Sequence, residues 1–177
     1  FADARHHFLP ADYPTVLIGA RPRAGIADSV ALDDTAAGRL ATEHLIHQGH
    51  RRIATVTGPL AEDCSQDRLA GFEQTLARHG IELDPALVLE GDWSPRAGYQ
   101  ALLQLAEHDE LPTALFAQND LMAVGALRAA RDLGIAVPEQ LSVIGVDDIP
   151  LAAHFEPPLT TVRQDFAQIG REAARLL

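Results

Sequence analysis

The sequence predicts an α/β fold built on a doubly wound parallel sheet. Short apolar runs of strand length end at Gly, Asn or Asp. Helical stretches of about 10–15 residues separate them, the rhythm of βαβ units. The runs are apolar throughout rather than alternating, as expected of strands covered on both faces.

The elements follow in order. Thr15 to Ile18 (TVLI) is a strand leading into a loop rich in Gly, Arg and Pro. Ala37, Leu40, Ala41, His44 and Leu45 share one helix face, and Gly49 supplies a natural stop. Ile53 to Thr57 (IATVT) is the next strand, stopping at Gly58-Pro59. Leu69, Phe72 and Leu76 mark a second helix closed by Gly80, and Leu87 to Leu89 a strand stopping at Glu90-Gly91-Asp92. Ser94 is a helix cap followed by Pro95 at the first helical position, with Tyr99, Leu102, Leu103 and Ala106 in register. Thr113 to Ala117 is a strand, and Ala123, Ala126, Leu127 and Ala130 stripe a helix closed by Gly134. Ser142 to Val146 is a strand ending at Asp147-Asp148; Thr160 to Gln164 is a further one. Asp165 caps a last helix through Phe166, Ile169 and Ala173. Residues 33–162 read as one nearly complete lobe. Residues 1–32 and 163–177 read as parts of a second.

Composition narrows the function classes. The 177 residues are 47% hydrophobic and 22% charged, a globular profile. With 14 Lys and Arg against 25 Asp and Glu, the net charge is −11, which disfavours a nucleic-acid surface on this segment. A single cysteine, Cys64, leaves no internal disulfide and no Cys-rich zinc site. No apolar run reaches the ~18 residues of a membrane-spanning helix. FADARHHFLP lacks the apolar core of a signal peptide, and a chain that opens on Phe and ends in EAARLL reads as a piece of something longer.

In an open parallel sheet, ligands bind outside the carboxyl ends of the strands. Those ends carry Asp92 and Trp93, then Gln118, Asn119 and Asp120, then Asp147 and Asp148, with Arg68 in the first turn of the helix after IATVT. An indole, an amide, a carboxylate and a guanidinium on one rim suit a polyhydroxylated ligand. Each residue alone has a plainer role: Asn119 and Asp120 as helix caps, Asp147 and Asp148 as turn residues, Arg68 as a solvated helix residue, Trp93 as core filler. Their co-location favours a site.

Sharper motifs are missing. The chain has no P-loop, no dinucleotide fingerprint and no nucleophile elbow. Asp147 and Asp148 are adjacent, a poor acid/base pair for glycoside hydrolysis. His44, His47 and His50 invite a zinc reading, but Gly49 ends the helix before His50, and a polar helix end is the stronger reading. Cys64 reads as a passive loop residue among acidic neighbours. No metal and no cofactor is expected.

LATEHLIHQGHRRIATVTGP (40–59), DRLAGF (67–72), EGDWSPRAGY (90–99), ALFAQNDLMAVGAL (114–127), VPEQLSVIGVDDIPLA (137–152) and PPLTTVRQD (157–165) together resemble the effector-binding region of the lactose/galactose-repressor (LacI/GalR) family of bacterial transcription regulators. The resemblance covers nearly the whole chain. It implies a type I periplasmic-binding-protein-like fold with effector held between two lobes, and chain crossings near 31–33 and 162–164. It matches Arg68, Trp93, Asn119 and Asp147 to effector-contacting positions, and Phe166 to an aromatic at the lobe crossover. It also implies a cytoplasmic protein without catalytic activity. Operator DNA would be bound only through a helix-turn-helix headpiece absent from this chain. The family's dimer elements point to a homodimer using Leu121, Val124 and Phe155. One departure stands out: Gly19 occupies the place where the family usually carries a polar side chain before Arg21-Pro22. Two other readings stay open: a periplasmic sugar-binding protein of a transporter, and an enzyme of the doubly wound class.

Overall fold

The computed structural model describes residues 14–19, 21 and 27–177. The expectation for FADARHHFLP, and those for Ala20, Pro22 and the rest of 1–32 not described, lie outside these residues.

Among the described residues there are two parallel sheets. The smaller pairs β1 (Val16–Ile18) with β2 (Asp28–Val30), and α5 (Phe166–Leu176) packs against both. The larger contains β3 (Ile53–Thr57), β4 (Val88–Glu90), β5 (Ala114–Ala117), β6 (Ser142–Asp147) and β7 (Thr160–Arg163) in the order β4-β3-β5-β6-β7. Every adjacent pair is parallel. The chain runs outward from β3 to β4, then returns past β3 to β5 and continues the other way. Right-handed crossovers therefore put the first connecting helix on one face and the next two on the other. Accordingly α1 (Asp34–His47) packs with α2 (Asp63–Arg78), and α3 (Pro95–Leu105) with α4 (Asp120–Leu133).

A core lies on each side of the sheet. Ala41, Leu45, Phe72, Leu76, Phe116 and Val146 fill one; Leu102, Leu105, Leu115, Met122, Ala126 and Leu141 fill the other. Both helix pairs close through reciprocal glycines. A Cβ on Gly98 would fall 1.9 Å from the Met122 carbonyl oxygen, and one on Gly125 1.7 Å from that of Pro95. On the other face, Gly38 meets the Arg68 backbone and Gly71 that of Thr35. Such contact between backbones admits no side chain.

Several elements differ from their sequence expectation. α1 buries Ala37, Gly38, Ala41, Thr42, Leu45 and Ile46, while Leu40 and His44 are exposed. The glycine seam with α2, rather than the larger apolar side chains, sets that face. α3 buries Gly98, Ala101, Leu102 and Leu105 for the same reason, and Ala106 is exposed. β4 begins one residue late because the Asp84 carboxylate caps a 3-10 turn over Pro85–Leu87. β2 was not expected: Asp-Ser-Val carries almost no strand signal, and its pairing with β1 makes it one. The predicted caps hold at Ser94, whose hydroxyl accepts from the Ala97 amide, and at Asp165, which accepts from that of Gln168. Gly134 ends α4 at φ +71°, in the left-handed region that favours glycine.

Candidate functional site

The strand order reverses between β3 and β5, which makes their carboxyl ends the switch point where doubly wound sheets bind ligands. The predicted rim residues are brought together there. Arg68 is the hub. It lies in the second turn of α2, which begins at Asp63, rather than in the first, and it is only 6% exposed rather than solvated. Its Nε donates to Asp34 Oδ1 at 2.7 Å, and its Nη1 donates to the Gln118 carbonyl at the end of β5. Its guanidinium carbon sits 5.6 Å from the Trp93 ring centroid, within reach of a cation–π attraction. A buried guanidinium demands such a set of partners.

Trp93 stands on the loop after β4 with φ +68°, in the left-handed region that a bulky side chain rarely adopts. Asn119 holds it there. The Asn119 Nδ2 donates to the Trp93 carbonyl at 3.0 Å, while its Oδ1 accepts from the Met122 amide at 2.8 Å and caps α4. The plain role of Asn119 as a cap is thus present, joined to a positioning role. The indole Nε1 donates to Glu62 Oε2 at 3.1 Å. Its six-membered ring covers Gly58: a Cβ there would lie 2.0 Å from Cζ2 and 2.3 Å from Cε2 and Cη2. In this structure the indole is therefore engaged by Arg68, Glu62 and Gly58.

Asp147 closes β6 at φ +121°, and Asp148 follows at φ +57°. Burial pushes the Asp147 carboxyl up to about 6; the Asp120 and Asp34 carboxylates add to the rise and Arg68 opposes it. Asp148 turns away and accepts from Arg163 Nε at 2.5 Å. The adjacent acids thus serve different partners, as the sequence suggested. Burial also raises Asp34, against the pull of Arg68.

Sequence reasoning missed Asp34 and Glu62, and it placed Gln118 and Asp120 on the rim without revealing their partners. Asp34, beside the Arg68 guanidinium, is buried in the first turn of α1, where an acid is ordinary at a helix start. Glu62 looked like part of a polar loop. Gln118 is fully buried with its Nε2 unpartnered, and its Oε1 accepts from the Gly58 amide. Asp120 is fully buried and accepts from the Ile149 amide at 2.9 Å and the Thr161 hydroxyl at 2.6 Å, tying the loop after β6 to β7. Arg21 bridges the loop after β1 to α2, bonding Asp67 through Nε and Nη2 at 3.0 and 2.5 Å and Gln66 at 3.3 Å.

Other expected residues fall elsewhere. Phe166 heads α5, 57% exposed. Cys64 is in α2, not in a loop, and burial pushes its thiol up. Leu121 is 45% exposed on α4 and Val124 half-buried, whereas Phe155 packs against its own core. His50 bonds the hydroxyls of Thr113 and Ser142, each at 3.0 Å. It lines a cavity of about 380 Å³ at the amino ends of the strands, remote from the rim. Among the described residues, no cluster of three or more His, Cys, Asp or Glu is placed to hold a metal. No helix among them is long and apolar enough to cross a membrane. Gly19 is described, at φ +77°, and brings no side chain.

Comparison with known proteins agrees with this architecture. Residues 42–177 match the periplasmic binding protein-like domain family. The chain is 40% identical over 153 residues to the HTH-type transcriptional repressor PurR of Haemophilus influenzae (strain PittEE), covering 85% of this chain and 46% of the relative. It is 43% identical over 149 residues to the HTH-type transcriptional repressor CytR of Escherichia coli (strain K12), covering 84% and 44%. The chain thus spans about half the length of the curated relatives it matches. Both of these relatives are transcriptional repressors. Among solved structures, a sugar-binding LacI-family regulator from Escherichia coli complexed with phosphate superposes at TM-score 0.87, with 38% identity, over 92% of this chain and 59% of that one. The regulator CelR in complex with cellobiose superposes at TM-score 0.85, with 41% identity, over 92% and 50%. The parallel sheet, the rim at its switch point and these likenesses lead to one conclusion: the chain belongs to the periplasmic binding protein-like domain family, as an effector-binding region of the LacI/GalR type.

Proposed function

We propose that this chain is the effector-sensing part of a cytoplasmic bacterial transcription repressor, and that it binds a small sugar-like molecule in a cleft between two lobes. Residues 33–162 form one lobe; 1–32 and 163–177 belong to the other. Arg68, Trp93, Asn119 and Asp147 line the effector side of the cleft, with Phe166 at the crossover. The observation that carries this reading is the convergence of Arg68, Trp93 and Asp147 at the sheet's switch point, where doubly wound folds bind ligands. Repressor relatives favour this over a transporter's binding protein.

Effector binding shifts the relative orientation of the lobes, and with it a headpiece that contacts operator DNA. That headpiece is not in this sequence. The protein acts as a homodimer in which Leu121 and Val124 on α4 meet a second copy. Phe155, partly buried against its own core, completes the interface patch.

A thermal-shift screen of sugars and nucleosides tests the effector reading, because a ligand that binds only the folded state raises the melting temperature. A hit whose shift survives both Arg68→Ala and Asp147→Asn would refute the site. Sedimentation of the protein, alone and with Leu121→Glu, tests the dimer; a monomer at high concentration would refute it.

A further inference from the structure

The charges of the cleft do not balance. Three carboxylates surround the Trp93–Arg68 pair: Asp34 from α1, Glu62 ahead of α2 and Asp147 from the end of β6. The guanidinium among them is that of Arg68, which gives Nε to Asp34 and Nη1 to the Gln118 carbonyl, and one cation does not neutralise three carboxylates. The neighbouring guanidinium groups face other carboxylates. Arg163, the strand partner of Asp147, turns to Asp148, and Arg21 is held by Asp63, Gln66 and Asp67. Glu62 uses one oxygen, Oε2, for both of its described bonds, to the Trp93 indole and the Cys64 thiol. Asp147 is ion-paired to no cation among the described residues, and its carboxyl rises despite the pull of Arg68. The nearby thiol of Cys64 is neutral, because burial pushes it up.

From this geometry we infer that the cleft selects an effector that is uncharged or carries an amino group and offers hydrogen-bond donors, and that it rejects phosphorylated forms of the same molecule. Glu62 is a residue that sets this preference. The inference rests on the effector reading above and narrows its chemistry. Hydroxyl or ammonium donors satisfy carboxylate oxygens, which can only accept. A phosphate brings about 1.5–2 negative charges and needs a free guanidinium, backbone nest or ammonium. Here it would meet three carboxylates around a single guanidinium, two of whose nitrogens already hold Asp34 and the Gln118 carbonyl.

Two measurements on this protein test it. Trp93 is the only tryptophan, so quenching of its emission samples the charge at the cleft. Iodide, acrylamide and caesium are applied at one low ionic strength, each normalised to N-acetyltryptophanamide. Iodide quenching should be suppressed roughly threefold relative to caesium, and Glu62→Gln and Asp147→Asn should each bring the ratio closer to one. Gln retains an acceptor for the indole N–H, so Glu62→Gln changes charge while preserving the contact. Equal normalised quenching by the two ions overturns the inference, whether or not an effector has been found. The second measurement titrates matched probes: ribose and ribose 5-phosphate; glucose, glucosamine and glucose 6-phosphate; adenosine and its monophosphate; and inorganic phosphate alone. Phosphorylated probes should bind at least tenfold more weakly than their parents. Tighter binding of a phosphorylated probe, or of inorganic phosphate, overturns the inference but leaves the effector reading intact. If no probe binds, the sugar-like effector reading fails and quenching alone decides the charge of the cleft.

Discussion

Gly58→Ala is the sharpest perturbation of the site that leaves every polar group in place. The new Cβ would sit 2.0 Å from Trp93 Cζ2, where carbon atoms prefer about 3.5–4.0 Å. The indole must retreat by about 1.5 Å or more, and its neighbours hold it on other sides. Its bond to Glu62, now 3.1 Å, would then lengthen beyond hydrogen-bonding range. A hydrogen bond to a charged group contributes about 1.5–3 kcal/mol, and an exposed cation–π contact about 0.5–1 kcal/mol. Because the indole is only half-buried, water replaces part of the loss, and we expect a destabilisation of about 1–3 kcal/mol. Urea unfolding followed by Trp93 emission reads both consequences: a lower midpoint, and a red-shifted emission maximum in the folded baseline. An unchanged midpoint together with an unchanged maximum would refute the packing described for Gly58 and Trp93.

The other predictions concern the carboxylates and Arg21. Asp147 has a folded pKa raised to about 6 from 3.8, so the folded state holds its proton where the unfolded state has lost it. Its contribution therefore becomes less favourable as pH rises from about 4 to 6 and is least favourable above 6. Asp147→Asn, which tolerates the positive φ, should raise the melting temperature at pH 8 more than at pH 4; an equal effect at both would contradict the buried carboxyl. Asp120→Asn should lower stability by about 1.5–3 kcal/mol in denaturant unfolding, since an amide has one accepting oxygen for the Ile149 amide and the Thr161 hydroxyl. A midpoint like that of the parent would show that the loop after β6 is held by other contacts. Arg21→Ala should cost no more than about 1 kcal/mol, because the Arg21 side chain is 47% exposed, and the loss should shrink at high salt. A salt-independent loss would mean that packing rather than charge carries the contact.

The parallel α/β architecture was legible in the sequence because its signals are local. Strands buried on both faces are apolar throughout, and caps and stops are single residues: Ser94, Asp165 and Gly134 act as expected. The rim was legible for a related reason, since a parallel sheet delivers the residues after each strand to one edge. Local pattern did not reveal β2, whose three residues become a strand through a partner in β1. Nor did it reveal which face of α1 is buried, because reciprocal glycines with α2 decide that.

The sequence by itself determined the order of the helices and of every strand but β2, and the set of side chains at the strand ends. Only the tertiary structure decided their states. Arg68 is buried because Asp34, 34 positions away, and the Gln118 carbonyl meet it. Trp93 is engaged because Gly58 and Glu62 come from another crossover. Asp147 is pushed up to about 6 by burial and by the acids of two other helices. Desolvation and charge coupling depend on distance in space, and helices packed on opposite faces of one sheet bring together at its edge residues that the chain keeps far apart.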